Sequence, residues 1–180
     1  YNKPTAPTSV TIGINPPAVV AERVPILMQS HPTIKGLKIK LGSPEGISAD
    51  KAMFEQVVKS ASPYGLKLRV DANGGWSLEN AKHMLQWLAD RGVEYVEQPL
   101  VEGAEAQLPE LFKSRALPIF VDESCRFAHQ IHAYASAVDG VNLKLMKCGG
   151  LTEALNILSV AQSYKLETMI GCMSESSVAI

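Results

Sequence analysis

The chain has 180 residues, a formal net charge of −1, and 46% hydrophobic against 19% charged residues. This length suits one domain with a sizeable core, and this balance excludes a disordered chain. A nearly neutral chain has no basic surface that would predict binding to nucleic acid or to an anionic membrane. No apolar run is long enough to cross a bilayer, and the polar N-terminus does not resemble a signal peptide. We therefore expect neither nucleic acid nor a membrane among its partners.

The three cysteines are odd in number and widely spaced. They indicate neither a disulfide framework nor a zinc site, so we expect a cytoplasmic protein. The first residue is Tyr1 rather than Met, and we expect the sequence to be a piece of a longer chain.

Strand-like runs alternate with amphipathic helical patterns along the whole sequence. The seven predicted strands lie near residues 9–14, 36–41, 66–71, 93–97, 118–122, 140–145 and 167–172. The clearest helix follows Ser77, a good N-cap, and aligns Ala81, Met84, Leu85, Leu88 and Ala89 on one stripe. A second helix, beginning near Thr152, is predicted to bury Leu155, Leu158 and Ala161.

This order of elements is typical of consecutive βα units around a parallel sheet. Seven units favour a TIM-type (β/α) barrel of the α/β class over an open doubly wound sheet, the alternative. A closed barrel needs eight strands, so we expect an incomplete barrel that forms one domain over residues 1–180, with its eighth unit removed.

Strand alternation predicts which side chains enter the barrel. In the second strand Leu37, Ile39 and Leu41 share one face, while Lys38 and Lys40 share the other. The apolar face is expected to pack on the helices. The same reasoning places one charged residue at the C-terminal end of each of five successive strands: Lys40, Asp71, Glu97, Asp122 and Lys144. Active sites of TIM barrels lie at that end.

Three of these five residues are carboxylates, which would repel one another unless a cation lay among them. Because no histidine falls at a strand end, an all-oxygen site for Mg²⁺ is favoured over zinc. His129 and His132 fall in a helix and are interpreted as surface residues, and Cys148 and Cys172 are interpreted as packing or lining residues.

Lysines on both sides of such a metal suggest proton transfer. Mg²⁺ acidifies the α-proton of a bound carboxylate by stabilising the enediolate, and a neutral lysine can then remove the proton. Lys38 is well placed to depress the pKa of Lys40, and Lys144 would approach from across the barrel. In the alternative interpretation, Lys38 or Lys144 is an electrostatic clamp for the intermediate.

These motifs together resemble the enolase superfamily, muconate-lactonizing subgroup. They are Leu37-Lys38-Ile39-Lys40, Val70-Asp71-Ala72-Asn73, Val96-Glu97-Gln98-Pro99, Asp122-Glu123-Ser124 and Lys144-Leu145-Met146-Lys147-Cys148-Gly149-Gly150. The resemblance implies Lys40 and Lys144 as the acid/base pair and Asp71, Glu97 and Asp122 as Mg²⁺ ligands. Lys147 is the rival of Lys144, but strand register favours Lys144.

Within the subgroup the chain most resembles dipeptide epimerases, typified by L-Ala-D/L-Glu epimerase, through the motif containing Lys144 and through Ile170-Gly171-Cys172-Met173-Ser174-Glu175-Ser176. This implies a small dipeptide substrate, with Lys38, Thr11, Cys172 and Ser174 around it. It also implies an N-terminal capping domain and an Asp-x-Asp pair on an eighth strand. We find neither in this sequence, so we expect no activity from these residues alone.

Other functions stay open at this point. An o-succinylbenzoate synthase, an N-succinylamino acid racemase or a muconate-type cycloisomerase would use the same lysine and metal frame. A non-catalytic barrel is the alternative of another class. Such a protein would tolerate loss of the charged residues at the strand ends, and because all five are present an enzyme is favoured. A homo-oligomer is also left open.

Overall fold

The computed structural model describes residues 8–173, which form a parallel sheet with its strands paired in chain order. The seven strands β1 to β7 are Val10–Ile12, Gly36–Lys40, Lys67–Asp71, Val93–Glu97, Ile119–Val121, Gly140–Leu143 and Glu167–Ile170. Every neighbouring pair is parallel. With a helix between consecutive strands, this is the predicted incomplete (β/α) barrel, and β1 and β7 are the edges of the described sheet.

The helices cover the outer face of the sheet. Helices α1 to α7 are Pro17–Ser30, Ile47–Ala61, Leu78–Ala89, Leu108–Lys113, Ala128–Ile131, Leu145–Cys148 and Leu151–Ser163. Helix α6 is an additional turn between β6 and α7, where the sequence pattern predicted that the sixth strand would continue to residue 145. No helix within residues 8–173 is long and apolar enough to span a bilayer.

Helix α3 matches its prediction, since the Ser77 hydroxyl accepts from the Asn80 amide and the residues Ala81, Met84, Leu85 and Leu88 are buried. The prediction for α7 is partly wrong. Leu155 is exposed, and the buried stripe is Ala154, Ile157 and Ala161. An apolar stripe one residue away satisfies the same helical period, and the small Ala154 allows close approach to the sheet.

The main core lies between the sheet and the helices. Leu37, Ile39 and Leu41 are fully buried there, as their alternation predicted. This packing leaves the opposite face of the strands, with its lysines and carboxylates, directed into the barrel. The core therefore fixes the position of the site.

Candidate functional site

Three buried carboxylates meet at the C-terminal ends of neighbouring strands. Asp71 ends β3, Glu97 ends β4, and Asp122 follows directly after β5. All three side chains are almost completely buried, and one ligand atom from each lies within 4.8 Å of the others. We call these residues the carboxylate cluster. Lys40, Asp71 and Glu97 are lateral neighbours in the register of β2, β3 and β4, which explains their convergence.

Lysines surround the carboxylate cluster. The Lys38 Nζ lies 2.9 Å from Asp71 Oδ2 and 2.7 Å from Glu97 Oε1. The Lys40 Nζ donates to Asp71 Oδ2 at 2.7 Å, and the Lys144 Nζ donates to Asp122 Oδ2. The structure thus brings together the five charged residues predicted at the strand ends, and Lys38 with them.

The pKa values of the three carboxyl groups diverge because their partners differ. Burial and the repulsive charge of Asp71 raise the pKa of Glu97 to about 7. Burial would also raise the pKa of Asp71, but the charges of Lys38 and Lys40 outweigh it and lower that pKa. The pKa of Asp122 is lowered in the same way, against burial, by Lys147 and Lys144. Glu97 is therefore the carboxyl group that binds a proton most readily.

One oxygen of the carboxylate cluster, Glu97 Oε2, is buried without a hydrogen-bond donor, whereas Asp122 Oδ1 is paired with the Lys147 ammonium at 2.5 Å. Buried polar atoms are rarely left unsatisfied as Glu97 Oε2 is. A buried acceptor without a donor, among three converging carboxylates, is suited to a hard cation that prefers oxygen ligands. The residues present therefore fit a metal ion.

A cavity of about 1000 Å³ occupies the interior of the incomplete barrel, and the side chains that contact the carboxylate cluster form part of its wall. Lys38, Asn142 and Lys144 line it, together with Thr11 and Cys172. Thr11 pairs with Lys38 across β1 and β2. Four residues were expected near the substrate. Lys38, Thr11 and Cys172 line the cavity, and Ser174 lies outside the described residues.

The structure also identifies polar residues to which the sequence pattern assigned no role. Asn142 is buried, and its amide donates to Glu97 Oε1 at 2.8 Å. Its inward position on β6 was the available signal. The side chain of Gln98 accepts hydrogen bonds from the amides of Asp122 and Ser124 and donates to Leu100 O and Ser124 Oγ. Gln98 therefore connects the ends of β4 and β5.

His129 and His132 are exposed, as expected. Cys148 is buried in packing contacts, and its thiol lies 3.4 Å from the Gly150 carbonyl. The Lys147 ammonium donates to three backbone carbonyl oxygens and lies 2.5 Å from Asp122 Oδ1.

The fold and the site together define a class of proteins: (β/α) barrels with a carboxylate cluster flanked by lysines. Comparison with known proteins assigns the chain to such a family. The profile of the enolase C-terminal domain-like family matches residues 21–180. The chain belongs to this family.

Two curated relatives show which members of the family are similar to this chain. A hydrophobic dipeptide epimerase of Flavobacteria bacterium (strain MS024-2A) is 67% identical over 100% of this chain and 51% of its own length. A hydrophobic dipeptide epimerase of Roseobacter litoralis is 64% identical over 96% of this chain and 50% of its own. The chain thus spans about half the length of these curated relatives.

A solved structure shares the architecture and carries ligands. The crystal structure of a dipeptide epimerase from Enterococcus faecalis V583, complexed with Mg and the dipeptide L-Leu-L-Tyr, is 36% identical and superposes with a TM-score of 0.85. The match covers 94% of this chain and 47% of that one.

Proposed function

We propose that the protein containing this chain is a Mg²⁺-dependent epimerase that inverts a stereocentre next to the carboxylate of a dipeptide. The observation that carries the proposal is the carboxylate cluster with Lys40 from β2 on one side and Lys144 from the end of β6 on the other. The names of the similar proteins support the reaction class and the type of substrate.

Asp71, Glu97 and Asp122 would hold the Mg²⁺. Glu97 Oε2, which has no hydrogen-bond donor, is available to it. When bound, Mg²⁺ supplies the positive charge that acidifies the proton next to a substrate carboxylate.

The three lysines have different tasks in this proposal. The charges of Glu97 and Asp71 outweigh burial and raise the pKa of Lys38, so Lys38 stays an ammonium and binds the substrate carboxylate. Lys40 removes the α-proton from one face of the substrate, and Lys144 delivers a proton to the opposite face. For the other stereoisomer the two exchange roles. Transfer between opposite faces inverts the stereocentre.

The names of similar proteins indicate the type of dipeptide. Two curated relatives, 67% and 64% identical to this chain, are named hydrophobic dipeptide epimerases. We therefore propose hydrophobic dipeptides as the substrates, ahead of L-Ala-L-Glu.

The test uses the full-length protein in D₂O, with Mg²⁺ and either L-Leu-L-Tyr or L-Ala-L-Glu, and follows epimerisation and α-proton exchange by NMR. Removing one general base typically costs about 10²–10⁴-fold in rate. Lys40→Ala and Lys144→Ala should each lose epimerisation by that factor, while each still exchanges the α-proton of one stereoisomer. Lys113→Ala, an exposed lysine on α4, is the matched control.

Epimerisation at the wild-type rate in either variant would exclude the two-base mechanism. Turnover of succinylbenzoate precursors without turnover of any dipeptide would assign the protein to o-succinylbenzoate synthases instead.

A further inference from the structure

Lys147 is a buried lysine that the proposed reaction does not use. It lies in the four-residue helix α6, and its side chain is 6% exposed. Its ammonium donates to three backbone carbonyl oxygens, those of Asp122 at 2.5 Å, Asn142 at 2.8 Å and Cys125 at 3.1 Å. A lysine has three N–H donors, so all of them are engaged.

This ammonium also forms an ion pair with Asp122. The Lys147 Nζ lies 2.5 Å from Asp122 Oδ1, and the other oxygen, Oδ2, accepts from Lys144. Each oxygen of the Asp122 carboxylate therefore has one lysine as its partner.

The same ammonium connects two strand ends. The carbonyls of Asp122 and Cys125 belong to the segment after β5, and that of Asn142 belongs to β6. The Asn142 side chain in turn donates to Glu97 Oε1 at 2.8 Å. Two members of the carboxylate cluster are thus tied to the contacts of one buried lysine.

We propose that Lys147 is a positioning residue that fixes Asp122 Oδ1, and through Asn142 also Glu97, in the geometry that binds the cation. The inference rests on the proposed function, since it takes the carboxylate cluster as the Mg²⁺ site. It assigns Lys147 no proton transfer, because the ammonium is held by three backbone carbonyls and the Asp122 carboxylate.

Magnesium affinity distinguishes positioning from a purely electrostatic effect. A positive charge beside a cation site repels the cation, so by charge alone Lys147→Met would bind Mg²⁺ more tightly. Loss of a residue that orients metal ligands typically weakens metal binding by about 10–100-fold. The measurement is calorimetric titration of Mg²⁺ into the full-length protein and its Lys147→Met variant, with Lys113→Met as control and near-UV circular dichroism to verify folding.

A dissociation constant raised tenfold or more in folded Lys147→Met, and unchanged in the control, supports the inference. An unchanged or lower dissociation constant overturns it, even if the wild type is an active epimerase. Failure of the wild type to bind Mg²⁺ would overturn the proposed metal site and this inference with it.

A second measurement covers the case in which Lys147→Met does not fold. A crystal structure of the Mg²⁺-loaded wild-type protein should show the Lys147 ammonium still on the three carbonyls and Asp122 Oδ1 on the metal. An ammonium turned into the cavity, or Oδ1 directed away from the ion, would overturn the assignment.

Discussion

Magnesium binding by the carboxylate cluster is expected to weaken below pH 7, because a proton and the cation compete for Glu97. The pKa of this carboxyl group is raised to about 7 by its burial and by the charge of Asp71. Metal ligands bind in their deprotonated form. Mg²⁺ must therefore displace a proton from Glu97 at any pH below that value, whereas the pKa values of Asp71 and Asp122 are lowered, so these two are already ionised.

The size of the effect follows from competition by a single proton. With a pKa of about 7, the apparent affinity should fall about tenfold at pH 6 and about a hundredfold at pH 5, relative to its value at high pH. Proton release should approach one per Mg²⁺ bound at pH 6. The variant Glu97→Gln cannot titrate, so its weaker affinity should not change with pH in this range.

Calorimetric titration of the full-length protein, in buffers with different ionisation enthalpies, measures both affinity and proton release. An affinity that stays constant between pH 5 and 8, with no proton released, would refute the assignment of the raised pKa to Glu97 or of Glu97 to the metal.

The metal-free protein should show the opposite dependence in its stability. Because the folded pKa of Glu97 is raised from 4.5 to about 7, its contribution is fully present below pH 4.5 and is lost as the pH rises through 7, in total about 3 kcal/mol. The contributions of Asp71 and Asp122, whose pKa values are lowered from 3.8, do not change in this window. Urea unfolding without metal should therefore show a loss from pH 5 to pH 7.5 that is absent in Glu97→Gln.

Two further predictions concern the loops that follow β2 and β3. Asp50 is buried and accepts hydrogen bonds from two amides of the loop after β2 and from the Trp76 indole, so Asp50→Ala should lower the free energy of unfolding in urea by about 3–5 kcal/mol, and Asp50→Asn by less. A Cβ on Gly75 would lie 2.5 Å from the Gly42 Cα, so Gly75→Ala should force the two loops apart at a cost of about 1–3 kcal/mol and lower the Tm. Gly13→Ala, whose Cβ would meet nothing closer than 3.7 Å, is the control, and equal Tm values for the two variants would contradict the reasoning.

The five charged residues at the strand ends could be predicted because their position depends on two simple regularities. Side chains alternate along a strand, so the apolar Leu37 and Ile39 determine that Lys38 and Lys40 face inward. Parallel strands in consecutive βα units bring their C-terminal ends to one rim, which places Asp71 and Glu97 beside Lys40. Neither regularity requires knowledge of atomic contacts.

The role of Lys147 could not be predicted in this way. Strand alternation does not extend beyond β6, because a short helix begins at Leu145 and reorients the chain. The three carbonyls that bind the Lys147 ammonium come from residues up to 25 positions away in sequence. The exposure of Leu155 was missed for a related reason, since the period of α7 permits two adjacent stripes and contact with the sheet selects one of them.

The sequence by itself therefore determined the order of the elements, the inward face of each strand and the charged residue at the C-terminal end of each of five strands. These features follow from local periodicity and from burial of apolar side chains. Only the tertiary structure decided which oxygens of the carboxylate cluster have donors, how far the pKa values of Asp71 and Glu97 diverge, and where Lys147 points. These properties depend on distances of a few ångströms between side chains from different strands, and no local pattern in the sequence encodes such distances.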